Sequence, residues 1–251
     1  MLFRSYVNLT RDTNNNDKIR KEVISIKKNH NGKYPPINII TGSQGTSTCI
    51  FCGNVMKGDE IRNQARLGKM DVCLIAKMIN KKNSERIRIF KIPNDNDEQV
   101  IILLENTIKN FDKKYLIHEP LPEYSGRGIQ VQVSVPRQYG ITQFSQFFTS
   151  RQLFVITKMM EWIDKTKNEM KKKELDPELI NAISLYLSLG INKLAENSSR
   201  FTGWHAKAKV TRDITAHNSY VLNWDFVEVY PFGGGTGSFT AYLNKIGRAH
   251  V

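Results

Sequence analysis

The sequence predicts an α+β protein, with a β-rich N-terminal part and a mainly helical part that ends in a strand and a glycine-rich loop. Three observations predict this fold class. Short β-branched stretches separated by polar turns occupy much of residues 1–118. Two long stretches after residue 139 repeat apolar residues at helical spacing. Near the end, β-branched and aromatic residues at 226–230 lead into Pro231 and a run of glycines.

Charge and cysteine content limit the functions that fit this chain. Its 251 residues carry a formal net charge of +13, which favours an acidic partner such as DNA or another nucleic acid. A generally lysine-rich surface is the alternative, because the lysines are spread along the chain. Three cysteines and no signal peptide predict a reducing, cytoplasmic location. No apolar run approaches the roughly 20 residues of a membrane span, so no membrane partner is expected.

The N-terminal part predicts short strands at 2–9, 19–26 and 37–40, followed by a cysteine pair. Cys49 and Cys52 are separated by two residues and followed by glycine, a turn that directs two thiolates at one metal ion. The preceding strand and the following helix-like stretch suit a zinc ribbon, whereas a thioredoxin-type pair would need the first cysteine at a helix N-terminus. Tetrahedral zinc takes four ligands and the chain offers one good pair, so the sequence predicts half of a zinc site.

The region between the cysteine pair and residue 118 contains a basic helix, two strands and an amphipathic helix. The helix predicted at 59–69 carries Arg62, Arg66 and Lys69 on neighbouring turns. These side chains form either a solvated face or phosphate contacts beside a zinc knuckle. Strands are predicted at 72–79 and 86–92, with Cys73 as a buried thiol, and a helix at 95–111 with Val100, Ile101, Leu104 and Ile108 on one side.

A proline-containing segment predicts a linker at 119–138, which separates a region at 1–118 from one at 139–245. In the second region, Thr149 or Ser150 can cap a helix with apolar residues at Leu153, Ile156, Met160 and Ile163. Asp176 and Pro177 supply the cap and first turn of the next helix. That helix is so rich in leucine and isoleucine that we expect it to be buried on most sides.

The end of the chain predicts a buried strand at 226–230, a glycine-rich loop and a helix at 238–245 capped by Thr236 or Ser238. Many α/β proteins hold a nucleotide or nucleoside cofactor with this arrangement, because bare backbone N–H groups can approach the ligand. A plain surface loop is the alternative. Residues 246–251 do not continue the helical pattern and look like a translated sequencing-adapter oligonucleotide, so we expect them to lie outside the fold.

Several segments, taken together and in order, resemble the adenine-specific DNA methylases that contain a zinc ribbon. The likeness runs over nearly the whole chain, from about residue 2 to residue 243. The segments are Cys49-x-x-Cys52-Gly53 with Gln64-Ala65-Arg66-x-Gly68-Lys69-Met70, Glu119-Pro120-Leu121-Pro122, Tyr139-Gly140-x-Thr142, Phe148-Thr149-x-Arg151-Gln152-Leu153, Tyr186-Leu187-x-Leu189, Asn197-Ser198-Ser199 with Trp204, and Trp224-Asp225-Phe226-x-Glu228-x-x-Pro231-Phe232.

The resemblance implies transfer of a methyl group from S-adenosylmethionine to the exocyclic amine of a flipped-out adenine in DNA. It also implies a methyltransferase-type α/β domain around the glycine-rich loop. This chain contains no Asp-Pro-Pro-Tyr or Asn-Pro-Pro-Tyr tetrapeptide, which in the family binds the amine. In the family, the tetrapeptide lies downstream of the similar region, while the methyl-donor loop and the first zinc cysteine pair lie upstream. The chain is therefore expected to be an internal fragment that is inactive alone, and its catalytic residues are not predicted.

Phe232, Gly233 and Gly235 imitate the Phe-x-Gly pattern of the donor loop and are the candidate contacts to S-adenosylmethionine. By order in the family, however, they match a second Pro-Phe-Gly-rich segment. A second function class is a non-catalytic zinc-ribbon module that binds nucleic acid. It explains the net charge, Cys49 and Cys52, but neither the long helices nor the glycine-rich loop.

Overall fold

A computed structural model describes residues 4–11, 19–26, 46–49, 53–81, 84–123, 134–205, 210–212, 214 and 220–245. The fold class is confirmed as α+β, since the elements are helices and small antiparallel sheets. The chain divides into two compact units, Met1–Val100 and Ile101–Val251, here called unit 1 and unit 2. The predicted strand at 37–40 and the hexapeptide at 246–251 lie outside the described residues.

The described residues of unit 1 form three antiparallel strand pairs, a short helix and the start of a second helix. Strands β1 and β2 pair with Arg4 opposite Ile26, which confirms two of the predicted strands. The elements are β1 (Arg4–Arg11), β2 (Ile19–Ile26), β3 (Ser47–Thr48), β4 (Val55–Met56), α1 (Gly58–Arg66), β5 (Lys77–Lys81), β6 (Ser84–Lys91) and α2 (Asp95–Lys109), which continues into unit 2.

The prediction that Cys73 is buried is wrong. Residues 72–76 have no strand pairing, and β5 begins only at Lys77. The apolar run therefore crosses the surface before the hairpin starts, and the Cys73 side chain is exposed.

Helix α2 confirms the predicted amphipathic helix. Ile101, Leu104 and Ile108 are half-buried, although Val100, placed on the same side by the sequence analysis, is exposed. The first turn is fixed by Asp97, whose carboxylate accepts hydrogen bonds from the Asn94 N–H at 2.8 Å and the Lys77 ammonium at 2.5 Å. The start of α2 is thereby tied to β5.

Unit 2 is built around two long helices, α4 (Ser150–Lys172) and α5 (Pro177–Asn197). Their shared core contains Ile156, Met159, Ile191 and Leu194, against which Phe148, Ile163, Val229 and Phe239 pack. The other elements are α3 (Ser134–Gln138), β7 (Gly203–His205), β8 (Val210–Arg212), α6 (Phe239–Leu243) and 3₁₀ turns at Lys113–Tyr115 and Phe144–Phe147.

The predicted helix caps are confirmed. Thr149 begins α4 with a reciprocal capping box, in which its hydroxyl accepts from the Gln152 N–H and the Gln152 side chain accepts from the Thr149 N–H at 2.8 Å. Asp176 accepts from the Glu178 N–H at 2.7 Å, and Pro177 occupies the first turn of α5. Ser238 accepts from the Ala241 N–H at 3.2 Å and begins α6.

Helix α5 is not buried on most sides, contrary to the prediction. Ile180, Ile191 and Leu194 face the core, but Leu185 is 64% exposed and Leu189 is 40% exposed. Its apolar residues surround the helix, while α4 and α6 cover only part of it. The stripe on α4 also differs slightly, because Met159 rather than Met160 is buried.

Residues 119–122, assigned to a linker by the sequence analysis, are packed into unit 2. Leu121 is buried and its N–H donates to the Thr142 carbonyl at 2.7 Å. The Phe144 N–H donates to the Glu119 carbonyl at 3.1 Å. This pairing gives the extended Pro-containing segment a structured partner, which composition alone does not reveal.

Candidate functional site: the aromatic surface and the glycine-rich loop

The segment at 226–230 crosses unit 2 without joining a sheet, so the prediction of a buried strand there is wrong. Its backbone is held instead by the turn that follows α5. The Val227 N–H donates to the Thr202 carbonyl at 3.2 Å, and the Val229 N–H donates to the Ser198 hydroxyl at 3.3 Å. Val229 packs against the core, whereas Tyr230 is exposed.

Glu228 attaches the same segment to the beginning of α4. Its carboxylate accepts two hydrogen bonds from the Arg151 guanidinium, at 2.9 Å from Nε and 2.7 Å from Nη2, and a third from the Thr149 hydroxyl at 3.0 Å. The Arg151 and Glu228 side chains are 19% and 26% exposed, so water screens the pair only partly. This bidentate contact fixes both the position and the direction of the segment.

Three aromatic side chains come together further along this segment and α4. Trp162 lies eleven residues after Arg151, which is about three helical turns and places both on one face of α4. The Trp162 and Phe232 ring centroids are 6.3 Å apart with an interplanar angle of 36°. Tyr230 meets Phe232 at 6.0 Å and 78°. We call Trp162, Tyr230 and Phe232 the aromatic surface; they are 45%, 71% and 49% exposed.

The glycine-rich loop that follows Phe232 is closed by its own hydrogen bonds. The Ser238 hydroxyl donates to the Gly233 carbonyl at 2.5 Å, and the Ser238 N–H donates to the Gly235 carbonyl at 3.1 Å. Gly237 has φ of +86°, and a Cβ there would lie 2.6 Å from the Asn197 Cβ. Only glycine fits that position without strain and a clash.

Gly234 and Gly235 have open space where a side chain would be. Within the part of the chain that the structure describes, their N–H groups donate to no acceptor. The loop therefore presents two backbone donors beside an exposed aromatic ring. Helix α6 has five residues, and its cap is satisfied by Ser238, so the donors come from the loop and not from a helix terminus.

The residues predicted to contact S-adenosylmethionine lie in one loop. They differ in how many of their backbone polar groups are already hydrogen-bonded within it. Phe232 belongs to the aromatic surface. The Gly233 N–H donates to the Tyr230 carbonyl at 3.2 Å and its carbonyl accepts from Ser238, so both of its polar groups are used inside the loop. Gly235 uses its carbonyl in the loop.

Cys49 of the predicted metal pair lies directly after β3. The Cys49 N–H donates to the Asn54 carbonyl at 2.8 Å, and the Gly53 N–H donates to the Cys49 carbonyl at 2.9 Å. Gly53 has φ of +74°, the left-handed conformation that glycine adopts most readily. Cys52 lies outside the described residues. Among the described ranges, no group of three or more His, Cys, Asp or Glu side chains could hold a metal ion, so these residues supply at most part of a site.

The three predicted phosphate contacts lie on or just after α1. Arg62 forms an ion pair with Asp59 one turn earlier, while Arg66 and Lys69 are exposed. These cations belong to unit 1, whereas the aromatic surface belongs to unit 2.

Trp162 and Tyr230 are site candidates that the sequence analysis missed. The available signal was the position of Trp162 between Lys158 and Lys165 on successive turns of α4, because an aromatic side chain on a charged helix face is unexpected. Glu161 accepts from Lys158 at 2.7 Å and from Lys165 at 2.5 Å, and these two hydrogen bonds hold the pKa of Glu161 below its usual range.

Comparison with known proteins found no matching family model, curated protein or solved structure. Among the helices of the described ranges, none combines the length and apolarity needed to cross a bilayer.

Proposed function

We propose that this chain is part of an adenine-specific DNA methyltransferase that takes its methyl group from S-adenosylmethionine in a reducing cytoplasm. The observation that carries the proposal is the contact between Arg151 and Glu228. These residues belong to two of the sequence segments on which the resemblance depends, and they lie 77 positions apart. Because the two segments contact each other in the fold, a protein that has one of them is expected to have the other. This chain has both.

Other segments of the resemblance also meet in unit 2. The Asn197-Ser198-Ser199 segment binds the Val229 N–H through Ser198. The Glu119 to Pro122 segment pairs with the Tyr139 to Thr142 segment through Leu121 and Thr142. The Tyr186 hydroxyl donates to the Leu243 carbonyl at 3.1 Å and links α5 to α6. These contacts support the interpretation that the segments are the packing residues of one fold.

S-adenosylmethionine, when bound, supplies the methyl group. The exposed Phe232 ring and the Gly235 N–H favour a ligand at the loop, whereas both polar groups of Gly233 are already used, so contact through Gly233 is limited to van der Waals packing. The sequence contains no tetrapeptide of the Asp-Pro-Pro-Tyr type, the motif to which the resemblance assigns the target adenine. We therefore expect no methyl transfer by these 251 residues alone.

A non-catalytic nucleic-acid-binding module is the second candidate, and the geometry around Cys49 favours it. The β3–β4 turn has the glycine conformation that suits a zinc knuckle, and α1 follows it immediately with Arg66 and Lys69 exposed. Such a knuckle would place cations beside a phosphate backbone. In a methyltransferase, the same part would serve DNA binding.

The two functions can be separated by expressing the reading frame with its flanking coding sequence. The product is incubated with methyl-deuterated S-adenosylmethionine and unmethylated plasmid DNA, and the digested nucleosides are analysed by mass spectrometry. We expect deuterated N6-methyldeoxyadenosine from the extended product and none from these 251 residues alone.

A no-protein reaction and a reaction without DNA serve as controls. Labelled methyladenine formed by these residues alone would contradict the expected dependence on the tetrapeptide. DNA binding by an extended product that forms no methylated adenine would favour the non-catalytic module.

A further inference from the structure

We propose that the aromatic surface is a stacking platform for unpaired bases of a single-stranded nucleic acid. Trp162, Tyr230 and Phe232 form one contiguous group, and each is between 45% and 71% exposed. Isolated exposed apolar side chains are ordinary, but a contiguous aromatic group on a protein surface marks an interaction site.

The ring geometry suits planar ligands. The Trp162 and Phe232 ring centroids are 6.3 Å apart, their planes are tilted by 36°, and both side chains are close to half exposed. Tyr230 meets Phe232 edge to face, at 78°, and adds a third exposed ring to the group. Bases stack on such aromatic faces with little dependence on sequence, because every base has a π-face.

The net positive charge along α4 favours nucleic acid as the partner. Lys158 and Lys165 lie one turn before and one turn after Trp162, and they share the single carboxylate of Glu161. From residue 158 to residue 173, six lysines accompany three carboxylates, a net charge of +3. The N–H groups of Gly234 and Gly235 add two donors for phosphate or base oxygens. A hydrophobic protein partner would not require this excess of cations and donors.

The ligand must be single-stranded, because the faces of bases inside a duplex are already stacked on their neighbours. This inference goes beyond the proposed function by naming unpaired nucleotides as a ligand of unit 2, and it assigns to them the Phe232 ring and the Gly235 N–H, which are also the candidate contacts to S-adenosylmethionine. It requires neither methyl transfer nor the zinc pair, so binding by this chain alone tests it.

The test measures fluorescence anisotropy of a labelled oligothymidylate titrated with the full chain. Loss of one stacking side chain corresponds to roughly tenfold or more in affinity, so we expect Trp162→Ala to weaken binding by about that factor. Phe232→Leu keeps an apolar side chain and removes the ring, and we expect a similar loss. Trp162→Phe should restore most of the affinity, which a purely structural role would not explain.

Trp224→Ala and Leu185→Ala are matched controls, because both side chains are exposed and neither belongs to the aromatic surface. Circular dichroism and thermal melting establish that each variant is folded. Unchanged affinity in both Trp162→Ala and Phe232→Leu would overturn the proposal. A loss in Trp224→Ala as large as that in Trp162→Ala would also overturn it.

Competing ligands distinguish the inference from the proposed function. An oligouridylate should bind with an affinity similar to that of the oligothymidylate. A DNA duplex of the same length should compete poorly with both. Full displacement of the oligonucleotide by S-adenosylmethionine would place the methyl donor on the ring and overturn the inference. This chain could bind the oligonucleotide through Trp162 and Phe232 while the product with the flanking coding sequence fails to methylate DNA. That result would support the inference and contradict the proposed function.

Discussion

Units 1 and 2 are stabilised in different ways. Among the described residues of unit 2, ten hydrophobic side chains are buried, including Leu194 and Ile156 in the core of the helix pair. In unit 1, among the residues whose burial the structure describes, Ala65 is the one buried hydrophobic residue. Burial of apolar surface is the main favourable term in folding, and the described part of unit 2 has a helix-pair core that the described side chains of unit 1 lack. The described elements of unit 1 are therefore held mainly by local strand pairing, as in the β3–β4 and β5–β6 hairpins.

The core of unit 2 gives the largest expected effect. Leu194 is 1% exposed, so Leu194→Ala should lower the free energy of unfolding of unit 2 by about 3 kcal/mol. All three tryptophans (Trp162, Trp204 and Trp224) lie in unit 2, and their fluorescence in a urea titration follows that unit alone. Leu185→Ala, at a position 64% exposed, is the control and should change little. Equal losses in the two variants would contradict the assigned core.

The Arg151–Glu228 pair gives the next largest effect. Arg151→Ala leaves Glu228 with the Thr149 hydroxyl as its remaining partner, and we expect a loss of about 1 to 2 kcal/mol. A double-mutant cycle with Glu228→Gln isolates the coupling between the side chains. The control is Lys172→Ala, whose partner Glu169 is exposed, and it should have no measurable effect. Strictly additive losses from Arg151 and Glu228 would show that they do not interact.

One aspartate in each unit provides a smaller, pH-dependent comparison. The Lys77 hydrogen bond, aided by the Asn94 N–H, lowers the pKa of Asp97 in unit 1. The Lys114 hydrogen bond, aided by the Tyr115 hydroxyl, lowers the pKa of Asp164 in unit 2. Because each pKa is lower in the folded state, each contribution is present above the ordinary aspartate pKa of about 3.9. It disappears as the pH falls through the folded-state pKa.

We therefore expect Asp97→Asn and Asp164→Asn each to shift the urea midpoint of its own unit slightly at neutral pH, with the difference vanishing in acid. Tryptophan fluorescence reports unit 2, and far-ultraviolet circular dichroism reports both units. A difference that grows as the pH falls would mean that the carboxylates are not stabilised by their lysine partners.

Metal removal should have the smallest effect. The sequence offers one good ligand pair, Cys49 and Cys52, so dialysed protein should hold well under one tightly bound zinc per chain by elemental analysis. Chelator should leave the unfolding of unit 1 nearly unchanged, and Cys49→Ser should abolish the weak binding that exists. Cys73 and His30, a histidine 19 positions before Cys49, are the other possible ligands. One tight zinc that is lost on changing either of them would show that the remaining ligands are in this chain.

The helices were predictable because their signals are local. Thr149, Asp176 and Ser238 are cap residues followed by apolar residues at helical spacing, and each begins a helix in the structure. The 226–230 segment was not predictable, because its composition is that of a strand while its partners are the Ser198 hydroxyl and the Thr202 carbonyl. Nothing local in a sequence specifies such distant acceptors.

The candidate site was predicted only in part for the same reason. Phe232 and the glycines form a recognisable local pattern. Trp162 joins them from a helix 70 positions earlier, and its involvement requires the register that Arg151 and Glu228 set between that helix and the 226–230 segment. The exposed face of α5 was mispredicted because composition indicates how apolar a helix is, but not how many neighbours cover it.

The hydrogen bonds that hold residues 226–230 also determine how this segment opens locally. A strand in a sheet is released by breaking a ladder, whereas the Val227 and Val229 amides depend on the single turn formed by residues 198–202. Local opening of that turn frees both amides at once, and they should exchange with solvent deuterium together with it. The Glu228 side chain between them is held by Arg151, so the amides of this segment report on the end of α5 while its carboxylate reports on the beginning of α4.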